Sequence, residues 1–137
     1  MIKILIVAHC GLTEELIKSA EFIAGKQENL MFVSKNTNDE SLSSLQEKIL
    51  NIIKENDDGS GVLILTDMFG GTPYNASMKV CLNTNIEVLT GVNLPMVLSA
   101  VFSSKTVNSV TELANKVLND GLKSIVNAKQ LFLEKMK

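Results

Sequence analysis

The chain has no arginine, no tryptophan, one histidine, two cysteines and only six aromatic side chains, five Phe and one Tyr. Without arginine there is no bidentate fork for base edges or phosphates, and thirteen lysines are outnumbered by fifteen acidic residues. No concentrated basic face is available, so DNA and RNA are excluded as partners. Cys10 and Cys81 are too few for a disulfide scaffold and form no CxxC pair, and they read as reduced thiols. No apolar run approaches the roughly 20 residues that a membrane-crossing helix needs. The run over residues 2–8 resembles the apolar part of a signal peptide but is too short, and His9 interrupts it. The expectation is a soluble, cytoplasmic protein.

What is present fits one ordinary globular domain spanning 1–137, with 45% hydrophobic and 20% charged residues. With so few aromatics, its core must come from Ile, Leu, Val, Ala and Met. Residues 2–8 are nearly all apolar and β-branched, which predicts a strand buried on both faces. Leu12, Leu16, Ala20, Ile23 and Ala24 recur at helical spacing and end near Gly25. A short strand over 30–33 precedes a polar loop over 34–40. A helix with Leu42, Leu45, Ile49, Ile52 and Ile53 on one face then stops before Asp57.

A third buried strand, 62–65, leads to Thr66 and Asp67. Gly70 and Gly71 break the chain, with Thr72 as N-cap and Pro73 as first residue of the next helix. Residues 86–89 form the fourth strand and 91–94 turn into another helix. Val107, Val110, Leu113, Ala114, Val117 and Leu118 mark the last clear helix. Residues 124–132 fit either a helix or an edge strand. Alternating strands and helices predict an α/β fold: a doubly wound, mainly parallel four-stranded sheet with helices on both faces.

In such sheets ligands gather beyond the carboxyl ends of the strands. His9, Asp67 and Thr90-Gly91 all fall there. A strand order of 2-1-3-4 would set His9 and Asp67 across one crevice. A neutral imidazole is a good nucleophile near pH 7. A carboxylate on one ring nitrogen fixes the tautomer and frees the other nitrogen to attack. Lacking arginine, the site would hold a transferring phosphoryl group with backbone N–H groups at the start of a helix, around Gly70 and Gly71, and with the Thr72 hydroxyl.

Other chemistries fit less well. No GxxxxGK[ST] loop, complete GxGxxG or GxSxG elbow occurs. The spacing of His9, Cys10, Asp67 and Cys81 matches no familiar metal site, and no cofactor is implied. Cys10 is either a small packed neighbour or a reactive thiol. Asp67 has an alternative reading as a simple cap before the glycine turn. Met68, Phe69, Tyr74, Val92, Leu94 and Met96 are large apolar residues for loops. They either pack locally or form a docking surface for partner proteins.

The stretches 4–9, 63–75 and 90–96 resemble the mannose-family enzyme IIA of the bacterial sugar phosphotransferase system. The resemblance runs in order to about residue 120, with 63–75 the most specific stretch. It implies a phosphocarrier whose His9 takes a phosphoryl group from phospho-HPr and passes it to a IIB protein. The IIB protein phosphorylates sugar brought in by the membrane subunits IIC and IID. By position, Asp67 orients His9 and Thr72 lies near the phosphoryl group. Relatives are homodimers that exchange an edge strand near the C-terminus, for which 124–132 is the candidate. Two departures stand out: Cys10 where the histidine is commonly followed by Gly, and Phe69 where many relatives have Trp. With no IIB domain attached, the acceptor is expected to be a separate protein. Two alternatives are the related subunit serving dihydroxyacetone kinase, disfavoured by Gly71-Thr72-Pro73-Tyr74-Asn75, and a regulatory or ligand-binding domain without turnover.

Overall fold

In a computed structural model, which describes residues 1–82 and 85–137, strands and helices alternate through the first four strands. The strands are β1 (Lys3–His9), β2 (Leu30–Lys35), β3 (Val62–Thr66) and β4 (Ile86–Leu89). The helices are α1 (Leu12–Ala24), α2 (Leu42–Asn56), α3 (Thr72–Cys81), α4 (Leu94–Ser103), α5 (Val110–Lys123) and α6 (Ala128–Lys135). The sheet order is β2-β1-β3-β4, and every pairing is parallel. The expected α/β architecture is therefore present, wholly rather than mainly parallel among the described residues.

Alternation along the strands divides the core in two. Ile4, Ile6, Ala8, Leu63 and Leu65 face α1, α4 and α5, where they meet Ala20, Val97, Ala100, Val101, Leu113 and Val117. Leu5, Val7, Val33, Val62 and Ile64 face α2 and α3, where they meet Leu45, Ile49, Ile53, Ala76 and Val80. Residues 4–7 are fully buried, and each such side chain stabilises the fold by about 1.5–3 kcal/mol. His9 continues the Leu5–Val7 side of β1, so its ring lies on the α2/α3 face. No helix among the described residues is long and apolar enough to cross a membrane.

Three elements differ in detail from the sequence expectations. The second strand runs two residues further, because Ser34 and Lys35 pair with Ala8 and His9. Thr72 is not the N-cap of α3: Gly71 takes that position with extended backbone, and Thr72 is already helical. The helix thus begins one residue earlier than expected, with the cap on the glycine. The 124–132 segment, in a single chain, is no edge strand. Asn127 caps α6 by accepting from the Gln130 N–H at 3.1 Å. A lone segment with no neighbouring ladder satisfies its backbone locally, and a helix does so. No residue of α6 is buried.

Candidate functional site

β1 and β3 are hydrogen-bonded neighbours, with Val7 opposite Thr66, so the residues that follow meet at one sheet edge. His9 Nδ1 lies 2.7 Å from Asp67 Oδ2, and the His9 backbone N–H donates to the same oxygen at 3.1 Å. The other oxygen, Oδ1, accepts from the Met68 N–H at 3.0 Å. A carboxylate can only accept, so in the neutral imidazole Nδ1 carries the ring hydrogen and the lone pair is on Nε2. The imidazole side chain is 42% exposed whereas the carboxylate is 12% exposed. The carboxylate is thus shielded while the imidazole remains accessible.

The walls come from two loops. Thr66 anchors one of them: its carbonyl accepts from the Val92 N–H at 3.0 Å and its hydroxyl donates to the Leu89 carbonyl at 3.3 Å. The other wall is the β3–α3 turn. Gly70 has φ +86°, a region that L side chains avoid. At Gly71 an added Cβ would lie 3.4 Å from His9 Cε1 and 3.4 Å from Met68 Cγ. The backbone therefore runs directly beside the imidazole. Gly71 makes no side-chain cap bond and Pro73 has no N–H. The Thr72 and Tyr74 N–H groups thus have no side-chain cap at the positive end of the helix, where an anion would be favoured. Thr72, half-buried, sits in that first turn.

The apolar loop residues divide. Met68 and Phe69 are exposed, 55% and 75% respectively. Phe69 stacks on Tyr74 with ring centroids 4.8 Å apart and a 51° tilt. Val92 and Leu94 are partly buried and pack against the core. Met96 is 4% exposed, so a surface docking role is closed to it. The first turn of α4 directs Met96 inward onto Gly121 of α5, where even a Cβ would come within 2.6 Å of Met96 Cγ.

Two features at this edge were not apparent from sequence. Cys10 has φ +54°, in the left-handed region, and is exposed; only a glycine would have signalled that conformation. Its N–H donates to the Lys35 carbonyl at 2.9 Å, continuing the β1–β2 ladder past His9. Lys35, read as part of a polar loop, ends β2 opposite His9 and is only 9% exposed. Cys81 is remote on α3, and burial pushes its thiol above the ordinary value. No group of three or more metal-ligating side chains occurs among the described residues.

The family model described as "PTS system fructose IIA component" matches residues 3–118. The chain is 31% identical over 135 residues to the mannose-specific EIIAB component of the phosphotransferase system of Escherichia coli K12, covering 98% of this chain but 42% of that protein. It thus spans less than half the length of that relative. With the fructose-specific EIIA component of Bacillus subtilis it shares 34% identity over 102 residues, which is 74% of this chain and 69% of that one. Among solved structures, an EIIA component from Streptococcus agalactiae superposes with a TM-score of 0.83 at 33% identity, covering 95% of this chain and 99% of that one. The mannose/sorbose-specific IIA subunit from Enterococcus faecalis gives 0.82 at 31% identity, covering 91% and 92%. With a family model matching residues 3–118 and solved relatives superposing over more than nine-tenths of the chain, this protein belongs to the IIA component family of the sugar phosphotransferase system.

Proposed function

We propose that the protein is a cytoplasmic phosphocarrier that accepts a phosphoryl group from phospho-HPr on Nε2 of His9 and delivers it to a IIB protein. IIC and IID membrane subunits would then couple sugar uptake to that phosphate. One observation carries the reading: the 2.7 Å contact from His9 Nδ1 to Asp67, which leaves Nε2 as the nucleophilic nitrogen. In the transfer, the Nε2 lone pair forms the new P–N bond as the donor's P–N bond breaks, its electron pair returning to the donor nitrogen. The imidazole gains positive character, which the Asp67 carboxylate stabilises. Backbone amides around Gly70 and Gly71 and at the start of α3, with the Thr72 hydroxyl, supply donors to the phosphoryl oxygens. Met68 and Phe69, exposed beside the histidine, form the partner-facing rim.

A homodimer belongs to the same proposal. Ile125, Val126, Phe132 and Leu133 are each at least half exposed, and a second copy would cover them. Relatives named for mannose, fructose and sorbose support the sugar branch over a subunit serving dihydroxyacetone kinase.

The test is incubation with phospho-HPr labelled in its phosphoryl group. The wild-type chain should acquire one acid-labile label and His9→Ala none, with unchanged circular dichroism. Label retained on His9→Ala would overturn the assignment. A wild-type chain that takes no label would instead be a binding module.

A further inference from the structure

The charge balance of the site leads to a residue outside the His9–Asp67 pair. Phosphorylation puts about two negative charges beside an Asp67 carboxylate that is already negative, in a chain with no arginine. The donors described so far are neutral amides and one hydroxyl. A cation is nevertheless built into the same edge. Lys35 is the register partner of His9 across the β1–β2 ladder. Paired residues on adjacent strands lie about 4.8 Å apart and point to the same face. That face is the α2/α3 side, since Val7 and Val33 one step earlier both lie in its core.

Lys35 is the one charged residue in the buried class among the described residues. Its Nζ donates to the Thr37 carbonyl at 3.2 Å, so the stem runs out past the carboxyl end of β2. This is the edge from which the His9 ring also projects. Among the described residues Nζ has no other hydrogen-bond partner and forms no ion pair. An ammonium carries three donors, so two of them are uncommitted. These two donors can serve an anion delivered to the neighbouring strand end. Asp39, on the loop that follows, is held below the ordinary carboxylate value mainly by the Thr37 hydroxyl and in part by the Lys35 charge.

We propose that Lys35 is a further residue of phosphoryl transfer: its ammonium, held beside His9 at the sheet edge, turns from the Thr37 carbonyl toward the phosphoryl oxygens and stabilises the phosphorylated histidine. It gives up no proton and forms no covalent bond; it only offsets charge. The inference deepens the phosphocarrier reading and rests on it.

The test compares wild type, Lys35→Met and Lys35→Arg in labelled transfer from phospho-HPr over a range of HPr concentrations. Lys35→Met keeps the bulk of the side chain and removes the charge. It should lower kcat roughly tenfold with little change in KM, as expected for one nearby charge lost at intermediate dielectric, and should shorten the lifetime of the phosphorylated form. Lys35→Arg should restore most of the rate. A second measurement uses the wild-type chain alone: the Lys35 Nζ resonance in nitrogen NMR should shift when His9 is phosphorylated. That measurement decides the matter if Lys35→Met does not fold. Wild-type kinetics in Lys35→Met, or an Nζ resonance unmoved by phosphorylation, overturns the role of Lys35 while leaving the phosphocarrier reading intact. A wild-type chain that takes no label overturns both.

Discussion

Replacing Asp67 by Asn removes one charge and changes a single atom, yet the hydrogen-bond geometry predicts two separate losses. Both carboxylate oxygens accept from backbone amides, Oδ2 from His9 and Oδ1 from Met68. Neither amide can rotate away, and Asn offers one acceptor and one NH2. In either orientation one backbone N–H must face a donor. The side chain is 12% exposed, so the unpaired amide is poorly compensated by water, and the fold should lose about 1–3 kcal/mol.

The chemical loss depends on the orientation. With the amide nitrogen toward the ring, Nδ1 must accept, the ring hydrogen moves to Nε2 and the nucleophilic lone pair is gone. With the amide oxygen toward the ring, the tautomer survives but the developing positive charge loses its counter-charge. Transfer should slow by a factor on the order of 10²–10⁴. Rapid-quench measurement of label transfer gives the rate, nitrogen NMR of the imidazole gives the tautomer, and urea denaturation gives the stability. An Asp67→Asn protein that transfers at the wild-type rate, or a phosphate found on Nδ1, would refute the reasoning.

Other perturbations follow from single contacts. Gly71→Ala places a methyl 3.4 Å from His9 Cε1, in a backbone of ordinary negative φ. It should slow transfer roughly three- to tenfold by displacing the ring while leaving the melting temperature nearly unchanged; a wild-type rate would show that the ring is not confined from that side. Cys10→Gly relieves a left-handed residue at φ +54°, which costs about 1–2 kcal/mol in an L side chain. Offset by the greater freedom of glycine in the unfolded chain, the gain should be up to about 1 kcal/mol, read as a higher urea midpoint; a lower midpoint would mean that the thiol makes a stabilising contact. Ending the chain after Ser124 removes α6, none of whose residues is buried. The shortened chain should keep its fold and sediment as a monomer at concentrations where the full chain is expected to dimerise, and equally tight dimerisation of both would contradict the role of the tail.

Sequence by itself carried the architecture and the meeting of His9 with Asp67. The unbroken apolar runs over 4–8 and 62–65 cannot be solvated on either side, so with helices alternating between the strands a parallel sheet covered on both faces follows. The placement of His9 and Asp67 just beyond two such runs then puts them at one edge of the sheet. Tertiary structure decided what depends on contacts between distant segments. Met96 reads as a loop residue by position, and only the close approach of α5 at Gly121 shows why it is inside. A lysine in a polar stretch looks like solvated loop. Pairing of β2 with β1 buries Lys35 beside the histidine, because ladder register is set by the whole sheet rather than by local propensity. Cys10 carries no sign of its positive φ, since the hydrogen bond to Lys35 that continues the ladder comes from another strand. The tail was ambiguous for the same reason. Its apolar residues demand a partner surface, and whether they are helix or strand depends on a neighbour that local sequence does not contain.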